Sequence, residues 1–267
     1  MNITYHITNH CNKNCTSCGH FLPLVPKEET HKTFETIVED LELLSHYKEH
    51  IDELGISGGE PTLHPNLREV LIRTRQLFPK TYIRLDTNCL LKHRLVELCD
   101  VILENGIHIC ATPYKIETIQ ELEVLFGDNM THYVIECLMD EHGQKNAFYK
   151  GFFTRTPTTT AEEALDCDAR RFCVSYENKK IYPCQYSAYF EYFDRAFAGQ
   201  HPLSCGTDYY IDLTTRPAFE DIEHKISTIL MPMCYHCIDC KREAGYMDIV
   251  SPITHSKRDI NEWLIDE

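Results

Sequence analysis

Three cysteines, Cys11, Cys15 and Cys18, stand as CxxxCxxC between Asn9 and His20, directly after the strand-like run Ile3 to Thr8. The spacing points to one short loop at a strand end that holds a metal centre, around which the rest of the fold would be built. Thiolates four and then three residues apart can converge on three irons of a cubane cluster and leave the fourth iron open to a small molecule. The competing readings are scattered core thiols and zinc. Zinc wants a fourth cysteine or histidine close by, and His10 or His20 is available.

A second motif bears on that choice. Leu54, Gly55, Ile56 and Ser57 form a short apolar strand that runs into Gly58, Gly59, Glu60 and Pro61. CxxxCxxC after a first strand and GGEP after a second, in this order and at about this distance, resembles the radical S-adenosylmethionine (SAM) enzymes. The resemblance implies a 4Fe-4S cluster on Cys11, Cys15 and Cys18 whose open iron chelates the amino and carboxylate groups of SAM. It also implies reductive cleavage of the sulfonium to a 5′-deoxyadenosyl radical that abstracts hydrogen from substrate. Glycines without side chains let backbone carbonyls approach the ligand's ammonium group; Glu60 adds charge or strand-end support, and Pro61 fixes the turn. The family has an aromatic residue before its third cysteine where this chain has Ser17, which leaves Phe21 to contact adenine. Thr87 and Asn88 match the family's Thr-Asn-Gly and are expected to line the SAM pocket, with Cys89 in place of the glycine.

Composition agrees. A chain of 267 residues with 43% hydrophobic content supports one large domain or a domain with an appendage. Fourteen cysteines without a secretory segment or membrane span suit a reducing, cytoplasmic interior where thiols serve metals. A formal charge of −15 argues against nucleic-acid partners, which demand clustered Lys and Arg.

Apolar periodicity predicts strands at Ile3 to Thr8, Glu53 to Ser57, Thr81 to Asp86, Ile107 to Ala111 and His132 to Met139. Helices are predicted at Thr33 to Tyr47, Asn66 to Phe78, Leu90 to Leu98 and Ile116 to Phe126. Alternation of this kind implies a parallel sheet; with the resemblance it becomes an α/β fold, a partial (β/α)6 TIM-like barrel over residues 1–155. The Thr-rich stretch Arg155 to Glu163 reads as a connector to a small cysteine-rich domain over residues 156–267.

In that second half Cys167, Cys173, Cys184, Cys205, Cys234, Cys237 and Cys240 crowd into about a hundred residues. A hairpin entering Cys184 and the CxxCxxC knuckle at Cys234 can close a four-coordinate site for a second cluster or for zinc. The arrangement resembles the Twitch and SPASM auxiliary-cluster extensions of radical SAM enzymes. In size and order it is similar to the 2-deoxy-scyllo-inosamine dehydrogenases. The Twitch pattern places one auxiliary 4Fe-4S cluster on Cys173, Cys184, Cys234 and Cys237, leaves Cys167, Cys205 and Cys240 as spares, and puts Lys179 where a hairpin glycine is expected.

The leading functional expectation is an oxidoreductase acting on a small polar molecule, carbohydrate or aminocyclitol, with an electron donor such as flavodoxin or ferredoxin. No added module for gripping a leader peptide is apparent. The alternative is a peptide-modifying epimerase or cross-linking maturase. Candidate catalytic residues are Arg155, as base or substrate anchor, and Cys205, as the thiol donor an epimerase needs.

Overall fold

Strand β1 (Asn2–Thr8) buries Ile3, Tyr5 and Ile7 on one face, and the same alternation recurs along the sheet it starts. The computed structural model describes residues 1–112, 114–132, 147–149, 153–172, 174–238, 250–252 and 255–266. The chain divides into two compact units: Met1–Asn12 with Lys27–Ala147, and Lys13–Pro26 with Phe148–Glu267.

In the first unit β1 is followed by α1 (Phe34–Leu44), β2 (Glu53–Gly58), α2 (Leu67–Leu77), β3 (Tyr82–Thr87), α3 (Lys92–Glu97), α4 (Cys99–Glu104), β4 (Ile107–Ala111), α5 (Ile116–Phe126) and β5 (Met130–His132). The strands lie parallel in the order β1-β2-β3-β4-β5. Register sets Tyr5 beside Ile56, Ile56 beside Leu85 and Leu85 beside Ile109, an apolar row. One residue earlier the row is Thr4, Gly55, Arg84 and His108, so the opposite face is polar. Helix α1 starts on Thr33, whose hydroxyl accepts from Thr36 N at 3.2 Å, and buries Ile37, Leu41 and Leu44. Helices α2 and α5 bury Leu67, Val70 and Leu71, and Ile119, Leu122 and Phe126. Parallel strands alternating with helices form the partial TIM-like α/β barrel expected from the sequence.

The amino-terminal edge of this sheet is held by one side chain. The Arg75 guanidinium donates to Phe78 O, Thr81 O, Asn105 O and Gly106 O at 2.7 to 3.1 Å, joining the loops that enter β3 and β4. Two predicted boundaries shift. Strand β5 begins at Met130, while residues 133–139 of the expected strand lie outside the described residues. The helix expected over Leu90 to Leu98 is two short ones, broken where Leu98 leaves helical geometry so that α4 can bury Val101 and Ile102.

β6 (Ala147–Tyr149) starts on the last residue of the first unit, and the second unit contains β7 (Phe153–Thr154), α6 (Ala161–Leu165), α7 (Ala169–Phe172), β8 (Val174–Glu177), β9 (Lys180–Tyr182), α8 (Gln185–Ala196), β10 (Ile211–Asp212), α9 (Phe219–Thr228), β11 (Val250–Pro252) and β12 (Leu264–Ile265). β8, β9 and β10 run antiparallel, β7 pairs with β12 in parallel, and β6 pairs with β11. The core here is aromatic: Phe21, Phe153, Tyr186, Phe193 and Trp263 are all essentially buried. Each such side chain withdraws about 200 Å² from water, on the order of 5 kcal/mol before ordering costs. The stretch read as a connector is part of this unit. Thr158 N and Thr159 N both donate to Tyr235 O at 2.9 Å, and Thr160 forms a capping box with Glu163 on α6.

The hairpin between β8 and β9 turns without glycine. Asn178 and Lys179 take φ values of 50° and 63° in succession, the left-handed pair of a type I′ turn. A left-handed lysine costs about 1 kcal/mol, so Lys179→Gly is expected to raise stability by about 0.5 to 1 kcal/mol, read from the denaturant midpoint at unchanged m-value.

Candidate functional site

At the carboxyl ends of β1, β2 and β3 the GGEP turn meets the stretch that carries Cys11. Gly58, the first of the pair, has φ 154°, and a Cβ there would lie 2.3 Å from Thr8 O. At Gly59 a Cβ would sit 2.3 Å from His10 O and 2.9 Å from the Cys11 Cβ. Both are closer than real Cβ contacts come, so only glycine permits this approach. It is sealed by Gly59 N to Thr8 O and Glu60 N to His10 O, each 2.8 Å.

Glu60 follows with its carboxylate fully buried. Oε1 accepts from Thr62 N at 3.1 Å, Thr62 Oγ1 at 2.5 Å and Thr87 Oγ1 at 2.7 Å, and Oε2 accepts from Asn88 N at 2.8 Å. Four donors offset the desolvation of the charge and lock the end of β3 onto the turn after β2. Asn88 Nδ2 then reaches Asn12 Oδ1 at 2.8 Å, next to Cys11. The structure thus brings Cys11, Gly58, Gly59, Glu60, Pro61, Thr87 and Asn88 together. Cys89, where glycine was expected, keeps the glycine-like backbone at φ 58°. Burial, with the Glu60 charge adding to it, pushes its thiol up to about 12.

Below the turn the polar sheet face continues inward. Arg84 pairs with Glu53 at 2.8 Å and Asp86 at 3.0 Å. Burial raises the Asp86 carboxyl above its ordinary value against the opposing pull of Arg84.

Cys15 and Cys18 lie in the second unit. The Cys18 carbonyl accepts from Trp263 Nε1 at 2.8 Å, and Cys15 bridges to His255 in antiparallel fashion. Burial pushes the Cys18 thiol up to about 11, eased by backbone N–H groups of Leu22 and His20 directed at the sulfur. Each histidine that zinc could take as a fourth ligand has one ring nitrogen engaged: His20 Nε2 with Gln185 Oε1 at 3.1 Å, and His10 Nδ1 with His31 Nε2 at 3.3 Å. Burial holds His20 down to about 4 and hence neutral. Phe21 is fully buried, its ring 5.3 Å from Phe193 and 6.1 Å from Trp263, so packing accounts for its aromaticity.

The second unit has its own thiol cluster. A partly open cavity is lined by Cys167, Cys184, Cys234 and Cys237 together with Arg170 and Met233. Three of these four cysteines were expected; Cys173 lies outside the described residues, and Cys167 was read as a spare. Nothing in the spacing separates those two, since both precede the hairpin. Among the described residues no three His, Cys, Asp or Glu side chains stand close enough to hold a single metal ion. Soft thiolates lining one cavity are ligands of the kind that zinc or an iron–sulfur core takes. Burial pushes Cys184 up to about 12 and also raises Cys234, where Arg170 opposes it.

The two catalytic candidates take other places. Arg155 pairs with Asp266 at 2.7 Å and donates to Asn261 Oδ1 at 2.7 Å. A guanidinium tied to a carboxylate is no base, and Arg155 anchors the C-terminal segment. Cys205 is buried with its Sγ 3.2 Å from Met233 Sδ, and burial raises its thiol. It packs beside the four-cysteine cavity without lining it. Tyr186 and Tyr189 are core residues, each 1% exposed.

Residues 5–124 match the radical SAM superfamily. No curated protein matches the chain. Among solved structures, BtrN in complex with AdoMet and 2-DOIA is similar over 98% of this chain and 98% of that chain, at 14% identity and a TM-score of 0.51. SuiB of Streptococcus suis bound to S-adenosylmethionine is similar over 85% of this chain and 67% of that chain, at 16% identity and a TM-score of 0.42. The fold is shared with BtrN, and the match over residues 5–124 indicates an enzyme. No helix among the described residues is long and apolar enough to cross a membrane.

Gly59→Ala forces the His10 carbonyl and Cys11 apart and is expected to abolish SAM binding while far-UV circular dichroism stays native. Glu60→Gln leaves backbone donors facing an amide and is expected to cost about 3 kcal/mol of stability, measured by urea unfolding.

Proposed function

We propose that the protein is a radical SAM oxidoreductase that oxidises a small polar substrate of the carbohydrate or aminocyclitol kind, with one auxiliary 4Fe-4S cluster and an electron donor such as flavodoxin or ferredoxin. The observation that carries this reading is the close approach of Gly59 to His10 and Cys11, locked by Glu60. It forms a cradle beside a cysteine of the motif that only side-chain-free backbone allows. Cys11, Cys15 and Cys18 would hold the N-terminal cluster, and Cys167, Cys184, Cys234 and Cys237 the auxiliary one. When bound, the N-terminal cluster and SAM supply a 5′-deoxyadenosyl radical, and the auxiliary cluster supplies a one-electron acceptor.

The chain's own residues do the rest. Gly58 and Gly59 keep side chains away from the space where an amino group would meet backbone carbonyls. Glu60, Thr87 and Asn88 hold that rim rigid. The polar face with Thr4, Ser57, Arg84 and Asp86 offers hydroxyl and charged groups rather than an apolar wall, which favours a polyol or amine over a lipid. A raised Asp86 carboxyl beside Arg84 is suited to exchange a proton with a substrate hydroxyl.

Anaerobic reconstitution is expected to yield about eight irons per chain, two cubanes. Cys184→Ala with Cys234→Ala should leave about four irons with SAM cleavage uncoupled from product. The triple Cys11, Cys15, Cys18→Ala variant should retain the other four and cleave no SAM. Carbon-deuterated polyols and aminocyclitols should pass label into 5′-deoxyadenosine; label arriving only from peptides would replace this reading with peptide modification.

A further inference from the structure

Arg170, on α7, reaches into the wall of the four-cysteine cavity. It is 7% exposed. Its Nε donates to Ala164 O at 2.9 Å, its Nη1 to Ile226 O at 3.0 Å, and its Nη2 to Cys234 Sγ at 3.8 Å. The two carbonyls aim the guanidinium without neutralising it, and among the described residues no carboxylate pairs with it. An arginine stays charged at any working pH. The result is a fixed, desolvated positive charge hydrogen-bonded to one of four sulfurs that face a common volume.

We propose that Arg170 is a positioning residue that sets the electron affinity of the centre held by Cys167, Cys184, Cys234 and Cys237, through a charged hydrogen bond to the Cys234 sulfur. This rests on the auxiliary-cluster reading above. Reduction of a thiolate-ligated 4Fe-4S core adds one negative charge, and a nearby cation stabilises that added charge. Hydrogen bonds to sulfur and local net charge are the protein's main levers on such a potential. Arg170 therefore biases the centre toward accepting an electron. A purely structural arginine, joining α6, α9 and the Cys234 turn, would leave the potential unmoved.

The test uses the full chain with both clusters assembled, titrated anaerobically while the reduced auxiliary signal is followed by electron paramagnetic resonance. Arg170→Gln is expected to move the auxiliary midpoint to more negative potential by at least tenfold in the one-electron equilibrium, about 59 mV. Arg170→Lys is expected to reverse most of that shift, and the N-terminal cluster should stay where it is. About eight irons with an unmoved midpoint would overturn the role of Arg170 and leave the auxiliary cluster standing. A shift that lysine fails to reverse would overturn the charge argument. About four irons in the wild-type protein would overturn the auxiliary cluster itself, and this inference with it. Arg170→Gln also gives up two carbonyl contacts, so a second measurement uses the unmutated chain. With guanidino-15N arginine, the reduced auxiliary signal should show a 15N coupling that Arg170→Lys removes, and absence of the coupling overturns the proposal whether or not the glutamine variant folds.

Discussion

A carboxylate withdrawn from water organises the first unit. An isolated buried Glu60 would lose several kcal/mol of hydration with nothing in return. Four donors change that balance, and they come from separate places: the 3-10 turn after β2 supplies Thr62, and the end of β3 supplies Thr87 and the Asn88 amide. The same residues that neutralise the cost of burial thereby fix two strand ends against each other. Asn88 passes the constraint on to Asn12, one residue past Cys11. The position of the first cysteine is thus tied to a glutamate about fifty residues away in sequence through a chain of short polar contacts.

In the second unit, order comes from aromatic packing. Phe21 and Trp263 share a core with Phe193, and the Trp263 indole holds the Cys18 carbonyl. The residues around Cys15 and Cys18 are thus braced by the last strand-bearing segment of the chain. Burial, with neighbouring cysteines adding to it, raises the Cys18 and Cys184 thiols above the ordinary thiol range. Groups so reluctant to ionise act as quiet hydrophobic side chains until a cation or metal centre stabilises the thiolate.

Much of this was legible in the sequence, and for physical reasons. Strands β1 to β4 and helices α1, α2 and α5 announce themselves by period, because each has one face against apolar neighbours. GGEP was readable as a close backbone approach, since nothing but glycine tolerates it. Glu60 was legible only as strand-end support, because its four donors are scattered over positions whose convergence requires the register of β2 with β3. Phe21 looked like a ligand contact, but an aromatic residue in a loop says nothing of what it faces. Arg155 sat in an apparent linker, and its partners Asn261 and Asp266 are a hundred residues further on. Cys167 and Cys173 both precede the hairpin; Cys167 lines the cavity, and Cys173 lies outside the described residues. The missing glycines at Cys89 and Lys179 signalled altered turns, yet both residues keep the left-handed backbone and carry its strain.

Arg75 satisfies carbonyls from two loops at the sheet margin opposite the GGEP turn. One planar, five-donor group replaces what would otherwise be several separate loop–loop contacts. The frame is consequently secured from its underside, independently of whatever residues occupy the upper rim. Such a scaffold tolerates divergence in substrate-facing loops without loss of its foundation, and a lysine at position 75, with a single nitrogen, would forfeit that latitude.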